Sequence, residues 1–298
     1  MVSDTSISYE TTEIIPRVSE WKRFYKVFFG RGIVIFGMAI IVIFILVAIF
    51  ADLIALYDPY ATDLTSTLQN PSSAHWLGTD AVGRDTLSRI IYGTRTSLEI
   101  GLIVVGIGTV IGMTLGTIAA YFGGWVYVII MRFIDALMCF PMIILALLIA
   151  SMLGPGIKNI IIALTISLMP GYARLMCGQV LTVRENDYIV AARSLGASNL
   201  RIIMRHVVLN CLPPLIVQIT MMLGATILAE AGLSFLGIGI QPPIPTWGGM
   251  VTNGRQYLTN HPVLSLAPGL ALMLVVFAFN IVGDGLRDAL DPRLRGQL

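Results

Sequence analysis

The sequence predicts an all-α integral membrane protein with six transmembrane helices. Three observations carry that reading. Of the 298 residues 56% are hydrophobic and only 12% are charged, about half the charge of an ordinary soluble domain, and the mean hydropathy is +0.84. The apolar residues gather into runs long enough to cross about 30 Å of hydrocarbon. With both termini inside, 14 of the 19 Lys and Arg residues fall in inside segments and 5 in outside ones, the asymmetry expected of a multi-pass protein. The formal net charge of +2 gives no basis for nucleic-acid binding.

Residues 1–31 read as a cytoplasmic tail whose Arg17, Lys22, Arg23, Lys26 and Arg31, with Trp21, Phe24 and Tyr25, suit a membrane surface. The tail is polar and no cleavable signal is expected. Gly32 to Ala51 is uncharged and spans about 30 Å as a helix. Together with the outside loop that follows, it makes a first unit over 32–96. Within that loop Gly78 and Gly83 permit tight turns, while Asp80, Arg84 and Asp85 can pair with each other or with exposed backbone. Asp80 and Asp85 as catalytic carboxylates are disfavoured, because neighbouring arginines would hold both ionised.

A transmembrane unit is expected over 97–288. Its first span, Leu98 to Tyr121, carries Gly101, Gly106, Gly108, Gly112 and Gly116, small residues that let helix backbones approach in lipid. Gly123-Gly124 turns the chain inside, and Arg132 and Asp135 are spaced to pair on one helix. Ala136 to Leu153 forms the next span, kinked at Pro141. After Gly154-Pro155-Gly156, Asn159 to Leu175 forms another, with Pro170-Gly171 bending its inner end.

The charged stretch over 184–210 interrupts this pattern. Arg184, Arg193, Arg201 and Arg205, with Arg174 just before them, place it in the cytoplasm. At the helical period Tyr188, Ala191, Ala192 and Leu195 share one face, and Gly196 ends that helix in a left-handed conformation. Ser198 can cap a second helix with Leu200, Ile203, Met204, Val207 and Val208 on its apolar face. Small residues ringed by arginines make a knob on which another protein's groove can sit. A loop pinned to anionic lipid by its arginines is the competing reading. Pro213-Pro214 opens the fifth span, which ends at Ala229. Residues 230–251 have too many glycines and prolines for a straight helix and suit a re-entrant or capping segment. Val263 to Val282 is the sixth span, and 289–298 is a cytoplasmic tail.

The chemistry points away from an enzyme. Only Lys22, Lys26 and Lys158 are present, none after a glycine, so no phosphate-binding loop can form. His75, His206 and His261 fall outside the spans, and Cys139, Cys177 and Cys211 lack metal-ligand spacing. No cofactor or metal site is expected in this chain. A stand-alone secondary transporter or channel is the alternative, but it calls for ionisable groups near mid-span, whereas Glu99, Arg132, Asp135, Glu230 and Asp284 all sit at span ends. A non-transporting scaffold is the third possibility.

Four runs, in order, resemble the oligopeptide and dipeptide permease C-type subunits of binding-protein-dependent ABC importers. They are HWLGTDAVGRDTLSRIIYGTRTSLEIG over 75–101, DYIVAARSLGAS with RHVVLN over 187–210, EAGLSFLGIGIQPPIPTWGGMV over 230–251, and GDGLRDALDPRLRG over 283–296. The second resembles the family's "EAA" docking loop, with Val190 in place of its usual glutamate and Leu209 in place of a proline. The resemblance implies a type I ABC importer permease fold in a bacterial or archaeal inner membrane, with Asp187, Tyr188, Ala191, Ala192, Leu195 and Gly196 docking the ATPase. It implies as partners a homologous B-type permease, two ABC ATPase subunits carrying ATP and Mg, and an extracytoplasmic solute-binding protein. Di- or oligopeptide cargo is implied, with nickel, glutathione or another small solute as alternatives.

Overall fold

A computed structural model describes residues 20–290; Arg17 and the rest of the tail over 1–19, and residues 291–298, lie outside the described residues. The element order is α1 (Glu20–Phe29), α2 (Gly32–Ile49), α3 (Ala51–Ile54), α4 (Thr86–Phe122), α5 (Gly124–Met138), α6 (Met142–Leu153), α7 (Ile157–Val183), α8 (Asp187–Ser194), α9 (Asn199–Ile202), a π turn over Ile203–Val207, α10 (Val208–Phe235), α11 (Trp247–Gly254) and α12 (Val263–Leu290). Among the described residues no strand forms beyond an isolated bridge between Thr79 and Asp85. Five candidate spans are α2, α4, α7, α9 continued through α10, and α12. Counted as one broken span, the pair α5 and α6, bent by 90°, makes a sixth.

The bundle is built on the contact of α4 with α7. A β-carbon on Gly116 would sit 2.3 Å from the carbonyl oxygen of Ala173, and one on Gly112 would sit 2.7 Å from that of Met169. The two backbones therefore touch directly, the arrangement that small residues allow where lipid supplies little drive for helix association. Gly106 has open space around it and takes no part. α12 packs against α10 and α2, and α1 lies at its C-terminal end, where Phe28 and Val34 are buried against Val282 and Ala289.

Several elements differ from the sequence expectation. α4 begins at Thr86 rather than Leu98, because Asp85 caps it: its Oδ2 accepts the Ser88 backbone N–H at 2.8 Å. Pro141 breaks its span outright instead of kinking it. It cannot donate to the carbonyl of Leu137, which accepts from Phe140 at 3.3 Å instead, and the residue before a proline is driven out of the helical region. Pro213 and Pro214 do not open a helix; they lie inside α10, six and seven residues beyond a π turn of the kind that re-registers a helix under strain. Glu230 is not at a span end. It is 1% exposed within a helix that continues to Phe235, and its Oε1 accepts the Ser234 hydroxyl at 2.8 Å.

Candidate functional site

Two surfaces stand at opposite ends of the bundle. At one end, α8 and α9 form a corner beyond α7. α8 terminates in a Schellman motif: the Gly196 N–H reaches the carbonyl of Arg193 at 3.0 Å and the Ala197 N–H reaches that of Ala192 at 3.1 Å. Gly196 carries φ +78°, a conformation that costs other residues about 1–2 kcal/mol. Ser198 caps α9, accepting from the Arg201 N–H at 3.4 Å, and Asp187 lies in the first turn of α8, where a negative charge suits the helix dipole.

The corner's inner side is anchored and its outer side is bare. Ile189, Ile202 and Val207 are buried in one cluster with Tyr121 of α4 and Val180 and Val183 of α7, each burial stabilising by about 1.5–3 kcal/mol. Leu195 is 88% exposed and Leu200 71%, with Tyr188, Ala191, Val190 and Met204 also outward. The apolar face expected of the second helix is thus divided, since Val207 turns inward while Leu200 and Met204 remain outside. Ala192 is half-buried, so the alanine pair straddles the boundary. Two large apolar side chains in water, beside a tyrosine, are the makings of a protein contact.

Polar contacts bind this corner to the end of α4. The Tyr121 hydroxyl donates to Oδ1 of Asn199 at 3.0 Å, and the Arg193 guanidinium lies 5.8 Å from the Tyr121 ring centroid. Arg184 donates to the carbonyl of Ala120 at 2.5 Å, satisfying one of the orphan acceptors at a helix C-terminus. Arg184 is therefore an anchor and not part of an outer rim. Arg174 lies within α7 and is absent from the corner; it pairs with Asp135 of α5. That corrects the expected Arg132–Asp135 pair. Tyr121 went unread in the sequence, although a hydroxyl-bearing aromatic before the Gly123-Gly124 turn was its signal.

At the other end, the loop over 55–85 folds into a cradle. Gly78 and Gly83 have φ +73° and +76°. Asp80 Oδ1 accepts the backbone N–H groups of Val82 and Arg84, both at 3.0 Å, and its Oδ2 accepts Arg84 Nε at 2.7 Å. Asp85 pairs with a histidine: its Oδ1 meets His75 Nδ1 at 2.9 Å. Asp63 is held below the usual carboxylate range by hydrogen bonds from the Thr65 and Ser66 side chains. Arg89 was missed: it is 3% exposed, lies 3.6 Å from Asp80, and donates to the carbonyls of Pro59 at 2.8 Å and Pro243 at 3.3 Å. A charged residue four positions after the cap Asp85 was the available signal.

Arg89 joins the cradle to the segment over 237–254, which returns to the bundle as α11. Trp247 is its plug, fully buried, with its N–H bonded to Ser97 Oγ and its Nε1 donating to the carbonyl of Ile90, both at 3.3 Å. A cavity of about 400 Å³ separates cradle and segment, with Asp80, Arg84, Asn253 and Gln256 on its walls. Behind it, Arg95 of α4 caps the carbonyls of Ala48 and Ile49 and pairs with Asp52. The Tyr92 hydroxyl, followed by Arg95, holds the Asp52 carboxyl below its ordinary range.

The family model described as "Binding-protein-dependent transport system inner membrane component" matches residues 112–296, and that described as "N-terminal TM domain of oligopeptide transport permease C" matches 19–71. The chain belongs to this permease family. It is 44% identical to the dipeptide transport system permease protein DppC of Alkalihalophilus pseudofirmus, over 93% of this chain and 91% of that one. It is 41% identical to the glutathione transport system permease protein GsiD of Pectobacterium atrosepticum, over 92% of each. A probable D,D-dipeptide transport system permease protein, DdpC of Escherichia coli, is 42% identical over 90% of each. The fold is that of the type I ABC importer permeases. An inward-facing structure of the MetNI methionine ABC transporter aligns with a TM-score of 0.57 at 20% identity, covering 69% of this chain and 97% of that one. This permease is a transport subunit, and ATP hydrolysis belongs to separate ATPase subunits.

Proposed function

We propose that the permease forms half of a peptide-conducting pathway and that the α8–α9 corner is its ATPase-docking element. The corner's construction carries this reading: apolar residues outward, and an inner side fixed by Tyr121, Asn199 and Arg184 to the end of α4. A push on the corner therefore reaches the longest helix of the bundle. The unequal distribution of lysine and arginine supports a cytoplasmic position for the corner and both termini, with the cradle outside. The dipeptide, glutathione and D,D-dipeptide permeases among the relatives favour a di- or oligopeptide cargo over a single amino acid. The full assembly contains a homologous B-type permease, two ATPase subunits using ATP and Mg, and an extracytoplasmic solute-binding protein. ATP closes the ATPases, and the corner passes that motion to α4 and α7, shifting a two-state equilibrium between inward- and outward-facing forms.

The test is Gly196→Val. A β-branched residue is poorly tolerated at φ +78°, yet no heavy atom lies within 4 Å of the β-carbon position, so the spans should insert normally. Membrane abundance is expected to stay near wild type while co-purified ATPase and peptide uptake both fall several-fold. Unchanged co-purification and uptake would return the corner to the lipid-pinned reading.

A further inference from the structure

Where the break between α5 and α6 faces α7 and α10, a groove of about 220 Å³ opens, with Met138, Phe140 and Met142 on one side and Gly171, Gln218 and Met222 on the other. Two features set it apart from a lipid-facing surface. Arg174 and Asp135, one turn from Gly171 and Met138 on their helices, form an ion pair whose side chains are 53% and 42% exposed. α7 is about 40 Å long, and Arg174 lies nine residues from its end. That places the ion pair toward the corner end of α7, where an ion open to lipid is disfavoured and one open to water is not. The break supplies the second feature: Pro141 gives α6 no side-chain cap, and first-turn N–H groups left bare within a membrane span are stable where they line water or protein.

We propose that this groove is the permease's wall of the translocation pathway and the surface a peptide touches in transit. The contact with peptide rests on the cargo assigned above; the wall does not. Gln218 is half-buried, and its amide offers a donor and an acceptor that match a peptide unit. The N–H groups of α6 suit a carbonyl or carboxylate, and the ion pair presents one charge for each peptide terminus. Three methionines and Phe140 provide a soft surface that adapts to unlike side chains. The groove thus favours passage of many peptides over tight retention of one.

The experiment places single cysteines at Gln218, Gly171 and Leu148 in the assembled complex, with Cys139, Cys177 and Cys211 replaced by serine or alanine. Gly171→Cys has room, with nothing within 4 Å of its β-carbon position, and Leu148 is an exposed apolar residue of α6. In membrane vesicles, a membrane-impermeant methanethiosulfonate should modify Gln218→Cys and Gly171→Cys at least an order of magnitude faster than Leu148→Cys. Their rates should shift when a non-hydrolysable ATP analogue is bound, and modification should abolish trialanine uptake. Gln218→Cys as inert as Leu148→Cys would overturn the wall, whether lipid or the partner permease covers it. Rapid modification that leaves trialanine uptake intact would overturn the peptide contact. A wild-type complex that takes up no peptide, with Gln218→Cys still reactive, would uphold the wall and overturn the cargo.

Discussion

A β-carbon at Gly83 would lie 1.8 Å from the carbonyl oxygen of Asp63, in a residue already at φ +76°. The obstacle is backbone, which a rotamer change cannot clear, and the conformation alone costs an alanine about 1–2 kcal/mol. Gly83→Ala should therefore loosen the cradle while leaving the spans in place. Proteinase K added to spheroplasts is expected to cut the loop over 55–85 several-fold faster in this variant. Gly124→Ala, with φ +52° but open space at its β-carbon, serves as the comparison; equal cleavage rates in the two would mean that the Asp63 contact does not hold the loop. Residue identities announced this cradle, since glycines and paired charges in a loop are legible. The histidine opposite Asp85 and the buried Arg89 were not, because their partners arrive from 10 and 154 positions away.

Helix pairing sorts glycines that look alike in sequence. Gly106, Gly112 and Gly116 share one apolar run, yet only the last two meet the backbone of α7. Gly116→Val would force the Ala173 carbonyl and the Cys177 amide away, separating the central pair at the point where its buried cluster begins. Overpacking of this kind costs about 1–3 kcal/mol or more. Gly116→Val is expected to lose its monodisperse peak in size-exclusion chromatography in detergent, whereas Gly106→Val keeps it. Similar profiles for the two would show that α4 and α7 do not depend on close approach. Helix breaks follow the same logic. Proline marks a possible break, but whether Pro141 ends a helix while Pro170 is absorbed within one depends on what satisfies the freed carbonyl.

Across the whole molecule the two ends are joined by α4, which caps the first span through Arg95 at one end and receives Tyr121's partner, Asn199, at the other. Under the proposed function this continuity lets a push on the corner reach the opposite end, and the sidedness it requires can be tested directly. Single cysteines at Ser72 and Ser198, both exposed, should differ in intact cells: a membrane-impermeant maleimide is expected to label Ser72→Cys and to reach Ser198→Cys only after the membrane is opened. Labelling of Ser198→Cys in intact cells would invert the arrangement and remove the ATPase from the corner.

Hydrophobic run length and local capping chemistry determined the membrane class, the apolar spans and the helix–glycine–helix corner. All of these depend on neighbours within a few turns, and lipid demands that each span satisfy its own backbone. Tertiary structure decided which side chains of the corner face inward, that Arg174 pairs with Asp135, that Arg89 and Trp247 fasten the outer segment, and where the broken helix opens a groove. Those outcomes turn on partners distant in sequence. In a membrane, where lipid tails are as apolar as leucine, hydrophobicity does not indicate which helix face meets which, so only the assembled bundle separates lipid-facing, buried and pathway-lining residues.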